Sequence, residues 1–114
     1  MLTLREIHEG LQANLEALDS LVEEARSAGR ESAKTENAYK VAYAKTRLSI
    51  RATSTEKLTV DQVEAEATVA TQDEHLAFLL AQSNLTVLRE SLRAVQSKID
   101  AYRTLAASFR SAGG

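Results

Sequence analysis

The chain of 114 residues has no cysteine, no proline and no tryptophan, and only four glycines: Gly10, Gly29, Gly113 and Gly114. Without cysteine there is neither a disulfide framework nor a thiolate metal site. Without proline, nothing in the sequence forces a helix to stop. Two phenylalanines and three tyrosines are too few to pack a large aromatic core. No run approaches the roughly eighteen apolar residues of a membrane span. The opening MLTLREIHEG is charged within five residues and has no apolar segment of the secretory kind. The expectation is one soluble cytoplasmic domain with no membrane association.

What is present favours helix. Alanine, leucine, glutamate, serine and arginine dominate, and the apolar positions recur at helical spacing, the composition of coiled coils and long helices. Thr3 and Glu6 form a Thr-x-x-Glu capping box. Leu4, Ile7, Leu11, Asn14, Leu18, Leu21, Ala25 and Ala28 follow in alternating steps of three and four, a heptad seam with one polar member. Asn14 there suits either a register-fixing role or a solvent-facing one. Leu15 and Val22 widen the stripe.

After Gly29 the stretch RESAKTENAYK is polar, reading as a hinge or an exposed continuation. Apolar spacing returns at Ala38, Val41, Ala42, Leu48 and Ala52, and TSTEKLT over 53–59 is the best turn in the chain. Thr59 and Gln62 form a second capping box, with Asp61 in the first turn to suit the helix dipole. From there a helix over 60–110 meets no breaker. Its first half is rich in alanine (Ala65, Ala67, Ala70, Ala77, Ala81) and its second half carries the seam Leu85, Leu88, Leu92, Val95, Ile99, Tyr102, Ala106 and Phe109.

The predicted fold is all-α. One domain comprises a heptad helix over 4–28, a basic helix over 30–52, a turn, and the long helix over 60–110. If the chain is helical through Gly29, it makes a long antiparallel hairpin; if Gly29 breaks it, two shorter helices face one long one. Neither buries stripes this wide. A homo-oligomeric coiled-coil assembly is therefore expected, held by Leu85, Leu88, Leu92, Val95, Ile99, Tyr102 and Phe109 with Leu11 and Leu18.

Charge is unevenly spread behind a formal net of −2. Residues 1–36 hold four basic and eight acidic side chains, and residues 56–75 hold one and six. Residues 37–51, NAYKVAYAKTRLSIR, hold four basic and none acidic, whereas 89–110 hold five and two. Lys40, Arg47 and Arg51 lie close on a helical wheel with Tyr39 and Tyr43 beside them. Such a face can hold a phosphate backbone and stack bases. It can equally be a solvated face over two packed tyrosines, and packing is the favoured role for both rings. Lys45 completes the cationic set, and Arg30, Lys34 and Lys57 extend it. Arg89, Arg93 and Lys98 flank the late seam, where coiled coils place charges that pair between helices, with Glu16, Asp19, Glu23 or Glu24 as partners.

Catalytic constellations are missing. There is no GxSxG elbow, no Gly-rich phosphate loop and no HExxH. Gln72, Asp73, Glu74 and His75 approximate the Glu-x-x-His motif of di-iron bundles, but the first position is Gln and no second copy exists. No metal, no cofactor and no enzymatic activity are expected.

The succession AYKVAYAKTRLSIRA, a short polar insertion, and LTVDQVEAEATVATQDEHLAFLLAQSNLTVLRESLRAVQSKIDAYRTLAASFR resembles the UvsY-type recombination mediators of tailed bacteriophages. The likeness covers residues 37–110. It rests on a Lys/Arg- and Tyr-bearing helix, a polar turn, and a helix start leading into a long helix with a mixed basic and apolar end. It implies an oligomeric accessory factor in a host cytoplasm that binds single-stranded DNA and helps load a recombinase onto strands coated by single-strand-binding protein. Lys40, Lys45, Arg47 and Arg51 would then contact DNA. The low aromatic content and acidic N-terminal third depart from a dedicated DNA binder. The competing reading is a structural or chaperone coiled-coil adaptor whose basic face meets an acidic protein.

Overall fold

The computed structural model describes residues 2–113. Three helices account for almost all of them: α1 Leu4–Thr53, α2 Val60–Ala70 and α3 Gln72–Ala112. No strand occurs among the described residues, and none of these helices is long and apolar enough to cross a membrane. The expected capping boxes form. Thr3 Oγ1 accepts from Glu6 N–H at 3.2 Å, with Glu6 Oε2 accepting from Thr3 N–H at 3.4 Å. Thr59 Oγ1 accepts from Gln62 N–H at 3.1 Å while Gln62 Oε1 accepts from Thr59 N–H at 2.9 Å. Each pair satisfies two amides that a helix start leaves without partners.

The structure decides two alternatives that the sequence leaves open, at Gly29 and after it, and corrects one apolar stripe. Gly29 does not interrupt α1, which runs on to Thr53. The polar stretch after it is the exposed continuation and not a hinge: it stays helical and mostly exposed, while the heptad steps from Ala28 run on through Ser32 and Thr35 to Tyr39 and Ala42. Ser32 is buried, and the Thr35 hydroxyl donates to its own helix, 2.8 Å from the Glu31 carbonyl oxygen. Small polar side chains thus occupy the seam without needing a partner across it. In consequence Ala38, Val41, Leu48 and Ala52 point outward, and the inner face is Tyr39, Ala42, Tyr43, Thr46 and Ile50. Asn14 is half-buried, and its side-chain amide donates to the Gly10 carbonyl, one turn back on the same helix, at 2.7 Å.

The long helix expected over 60–110 is divided at Thr71, whose φ and ψ are −111° and 19°. The inward positions explain the site. Val63, Ala67 and Thr71 are buried at two successive steps of four, where a heptad alternates four with three. Such a run drifts off the seam and locally unwinds the helix. The buried Thr71 hydroxyl donates to the Ala67 carbonyl at 2.7 Å, and the Thr71 N–H shares that acceptor at 3.1 Å. Back-bonding of this kind bends helices. Beyond it the steps of three and four resume through Phe78, Ala81, Leu85 and Leu88.

The chain divides into two compact units, one of residues 1–27 with 86–114 and one of residues 28–85. In the first, Ile7, Ile99 and Ala106 are buried and Leu11, Leu18, Leu88, Leu92, Val95 and Phe109 are half-buried. Here α1 and α3 approach closely at one point: a Cβ on Gly10 would lie 2.5 Å from the Tyr102 ring. The second unit folds back at Ser54–Thr59, where Ser54 Oγ accepts from Glu56 N–H at 3.2 Å. Its core holds Ala28, Ser32, Val63, Ala67 and Thr71, with Tyr39 stacked on His75.

The two glycines inside α1 therefore differ in meaning. Gly29→Ala meets nothing within 4 Å and should raise stability by about 1 kcal/mol, the helix-propensity difference. Gly10→Ala has to displace the Tyr102 ring and should lose that gain. In a Tyr102→Ala background Gly10→Ala should become stabilising. Urea titrations of the four chains of this cycle should give a coupling of at least about 0.5 kcal/mol; additive effects would refute the close approach.

Candidate nucleic-acid interface

Six of the eight cationic residues of α1, Arg30, Lys34, Lys40, Lys45, Arg47 and Arg51, belong to the second unit, and helical spacing distributes them over a broad arc. Opposite the inward Tyr39, Thr46 and Ile50 stand Arg30, Lys34, Lys45 and the apolar pair Val41 and Leu48. Lys40, Arg47 and Arg51 form one flank of that arc, so Lys45 does not share their side. Arg30, Lys34, Lys40, Lys45 and Arg51 are exposed, whereas Arg47 is half-buried.

These cations are not equally free. Lys40 Nζ sits 2.7 Å from Glu36 Oε1, one turn earlier. Counting acidic residues from Asn37 onward overlooks this carboxylate, because its neighbour on the helix surface lies outside the window. Arg47 has its Nε out of water with no hydrogen-bond partner, and its guanidinium carbon lies 5.9 Å from the Tyr43 ring centroid. A cation over an aromatic face is attracted by the ring quadrupole, so Arg47 is held along the helix pair. Among the described residues Arg30, Lys34, Lys45 and Arg51 have no ion-pair partner. These four, and not the Lys40–Arg47 pair, are the cations most available to an anion.

The tyrosines take the packing role that the sequence favours. Tyr39 stacks on His75 with centroids 4.5 Å apart and planes at 16°, and lies 6.4 Å from Phe78 in near-parallel orientation. Tyr43 is tilted against Tyr39 at 6.1 Å. Both tyrosines are half-buried between α1 and the opposing limb. The Tyr39 ring is engaged by His75 and Phe78, and the Tyr43 ring lies between Tyr39 and the Arg47 guanidinium. His75, read as part of a degenerate metal motif, is instead a packing partner of Tyr39. The sequence signal for that cluster existed: Tyr39 continues the heptad from Ala28 with Tyr43 one turn on, and Phe78 begins the one that leads to Leu85.

The second basic zone makes no ion pair with the acidic first third of the chain. Arg89, Arg93 and Lys98 are exposed, and the ion pairs among the described residues, Arg5–Glu9, Arg26–Glu23 and Lys40–Glu36, all lie within α1. The nine side chains expected to drive assembly lie on the inward seams of the single chain, with Ile99 buried and the other eight half-buried. Leu85 closes the second unit, and the remainder belong to the first.

A groove of about 300 Å³ runs along the arc, lined by Ala44, Arg47, Leu48 and Arg51. Its floor is apolar and its rim cationic, and it is an open groove and not an enclosed pocket. Comparison with known protein families, with curated proteins and with solved structures found no match.

The packing role of Tyr39 has a direct test. Tyr39→Ala, which removes the stack on His75 and Phe78, should lower stability by about 2 kcal/mol, whereas Tyr39→Phe should be nearly neutral. Thermal melts followed by circular dichroism compare them; a Tyr39→Ala chain as stable as the parent would contradict the stacked arrangement.

Proposed function

We propose that the chain is a non-enzymatic accessory protein that binds single-stranded DNA through the outward arc of α1, in the manner of the phage recombination mediators it resembles, and assists recombinase loading. The observation that carries this reading is the set of four outward cations without ion-pair partners, Arg30, Lys34, Lys45 and Arg51, on one rigid helix. Lysine and arginine on such a face neutralise phosphates and release counterions regardless of base sequence. With the tyrosines engaged internally, binding depends on phosphates and is insensitive to which bases follow. Base stacking contributes nothing from this face.

Four neutralised phosphates on a single strand correspond to a slope of about −3 in log affinity against log salt. Anisotropy of a labelled single-stranded oligonucleotide, titrated at several salt concentrations, should show that dependence. Lys34→Glu with Lys45→Glu should weaken binding and roughly halve the slope, while Lys40→Glu should do less because Glu36 already offsets it. Binding that the double variant leaves intact, or that ignores salt, would refute the assignment.

A second reading has its own support. Val41 and Leu48 lie exposed in the middle of the cationic arc, Leu48 at 70 %. Phosphates make no use of such side chains, whereas a protein partner with acidic and apolar residues does. On that reading the chain is a coiled-coil adaptor, and oligonucleotide binding is absent even at low salt.

A further inference from the structure

The second unit carries a second heptad seam that nothing in the chain covers. On α2 and α3 the inward positions are Val63, Ala67, Thr71, His75 and Phe78. Half a turn away, Val69, Asp73, Leu76, Leu80 and Ser83 follow one another in alternating steps of four and three. All five are exposed, with Val69 at 68 %, Leu76 at 56 % and Leu80 at 62 %. Large apolar side chains scattered singly on a surface are ordinary, but a contiguous stripe at heptad spacing marks an association surface.

The charge around that stripe says what covers it. Asp61, Glu64, Glu66 and Asp73 are exposed on the α2–α3 limb, and Lys57 is the single cation from 56 to 75. Two copies of this acidic stripe meeting face to face would repel. The outward face of α1 has the opposite pattern, Val41 and Leu48 among Lys34, Lys45 and Arg51. Each limb also has a shallow groove. One is lined by Ala44 and Leu48 with Arg47 and Arg51, and the other, of about 380 Å³, by Ala65, Val69 and Ala70 with Glu66. Apolar floors of alanine and a branched residue are thus matched, with rims of opposite sign.

We propose that a second copy of this chain docks its basic α1 face onto the acidic, apolar α2–α3 stripe of the first. Because the limbs of the unit pack through their inner faces, these outer faces point away from each other. The contact is therefore heterologous: every copy that accepts a neighbour on one face offers the complementary face to the next. Such contacts generate rings where the rotation closes and stacks where it does not. The inward seams over 85–109 stay within the chain. This proposal does not rest on DNA binding, although both use the α1 arc, so a polyanion competes with the docking of the next copy.

Sedimentation velocity of the full chain, parent and variants, tests it. Lys45→Glu with Arg51→Glu reverses the two rim cations flanking Leu48, and Glu66→Lys with Asp73→Lys reverses the two rim carboxylates flanking Val69. All four positions are exposed, and circular dichroism checks that each variant keeps its helices. Each variant alone should associate at least about tenfold more weakly than the parent, because attractive rim charges become repulsive. Mixing the two should restore association, each basic face again finding an acidic one. A monomeric parent, a variant that sediments like the parent, or a mixture that stays dissociated would overturn the proposal. Leu80→Ser supplies an independent readout: it should weaken association without altering charge, and parental behaviour would exclude the stripe. The Glu66→Lys, Asp73→Lys variant keeps the cations of α1, so loss of its self-association with retained oligonucleotide binding separates this proposal from the DNA reading.

Discussion

Where one helix packs against a single opposing limb, it can bury one stripe per helix, and the remaining arc of each faces outward whatever its composition. In the unit of residues 28–85 this constraint selects what lies inside. The inner stripe is made of small and flat side chains: Ala28, Ser32, Ala67 and Thr71 are buried, and Tyr39 lies flat against His75. Small residues let the backbones approach, and stacked rings fill the wider part of the gap. In the unit of residues 1–27 with 86–114, Gly10 does the same for Tyr102. The leucines and valines left outside are a consequence of that geometry, and they have to be covered or tolerated.

Polar groups on the inner stripes are satisfied locally, which is why they cost little. Asn14, Thr35 and Thr71 each donate to a carbonyl of their own helix one turn back. None requires a matched acceptor on the opposing limb, so the helices keep their seams without a buried polar network. The exceptions are Arg47 Nε and Glu74 Oε2, buried without a hydrogen-bond partner. An unpaired buried polar atom typically costs about 1–3 kcal/mol. For Arg47 the neighbouring Tyr43 ring offsets part of that, and both groups are places where the unit is held at some expense.

The sequence was legible where a rule acts over a few residues. Both capping boxes, the turn after Thr53 and the helical character of nearly the whole chain follow from spacing and composition, because i to i+3 hydrogen bonds and helix propensity need no distant partner. Reading failed where apolar character was taken as a proxy for inwardness. Val41 and Leu48 look like a stripe, yet the heptad running from Ala28 passes through Ser32, Thr35 and Tyr39. The phase of a long helix is fixed by its strongest stretch, here Ile7 to Ala28, and weaker stretches follow it even when their own residues suggest a different face. The candidate DNA face suffered the same way: its cations were identified, but their separation into outward and flanking groups depended on that phase.

By itself the sequence determined that this protein is helical, where α1 and α2 begin, where the chain folds back between them, and that its charge is segregated along its length. Only the tertiary structure decided which face of each helix is spent inside. It set Tyr39 against His75 and Phe78, took Lys40 partly out of play through Glu36, and broke the last helix at Thr71. It also left a basic face on one limb and an acidic, apolar face on the other. The physical reason is that local rules fix the backbone of a helix but leave its rotation about its own axis free. That rotation is set only when a second helix arrives and excludes water from one side.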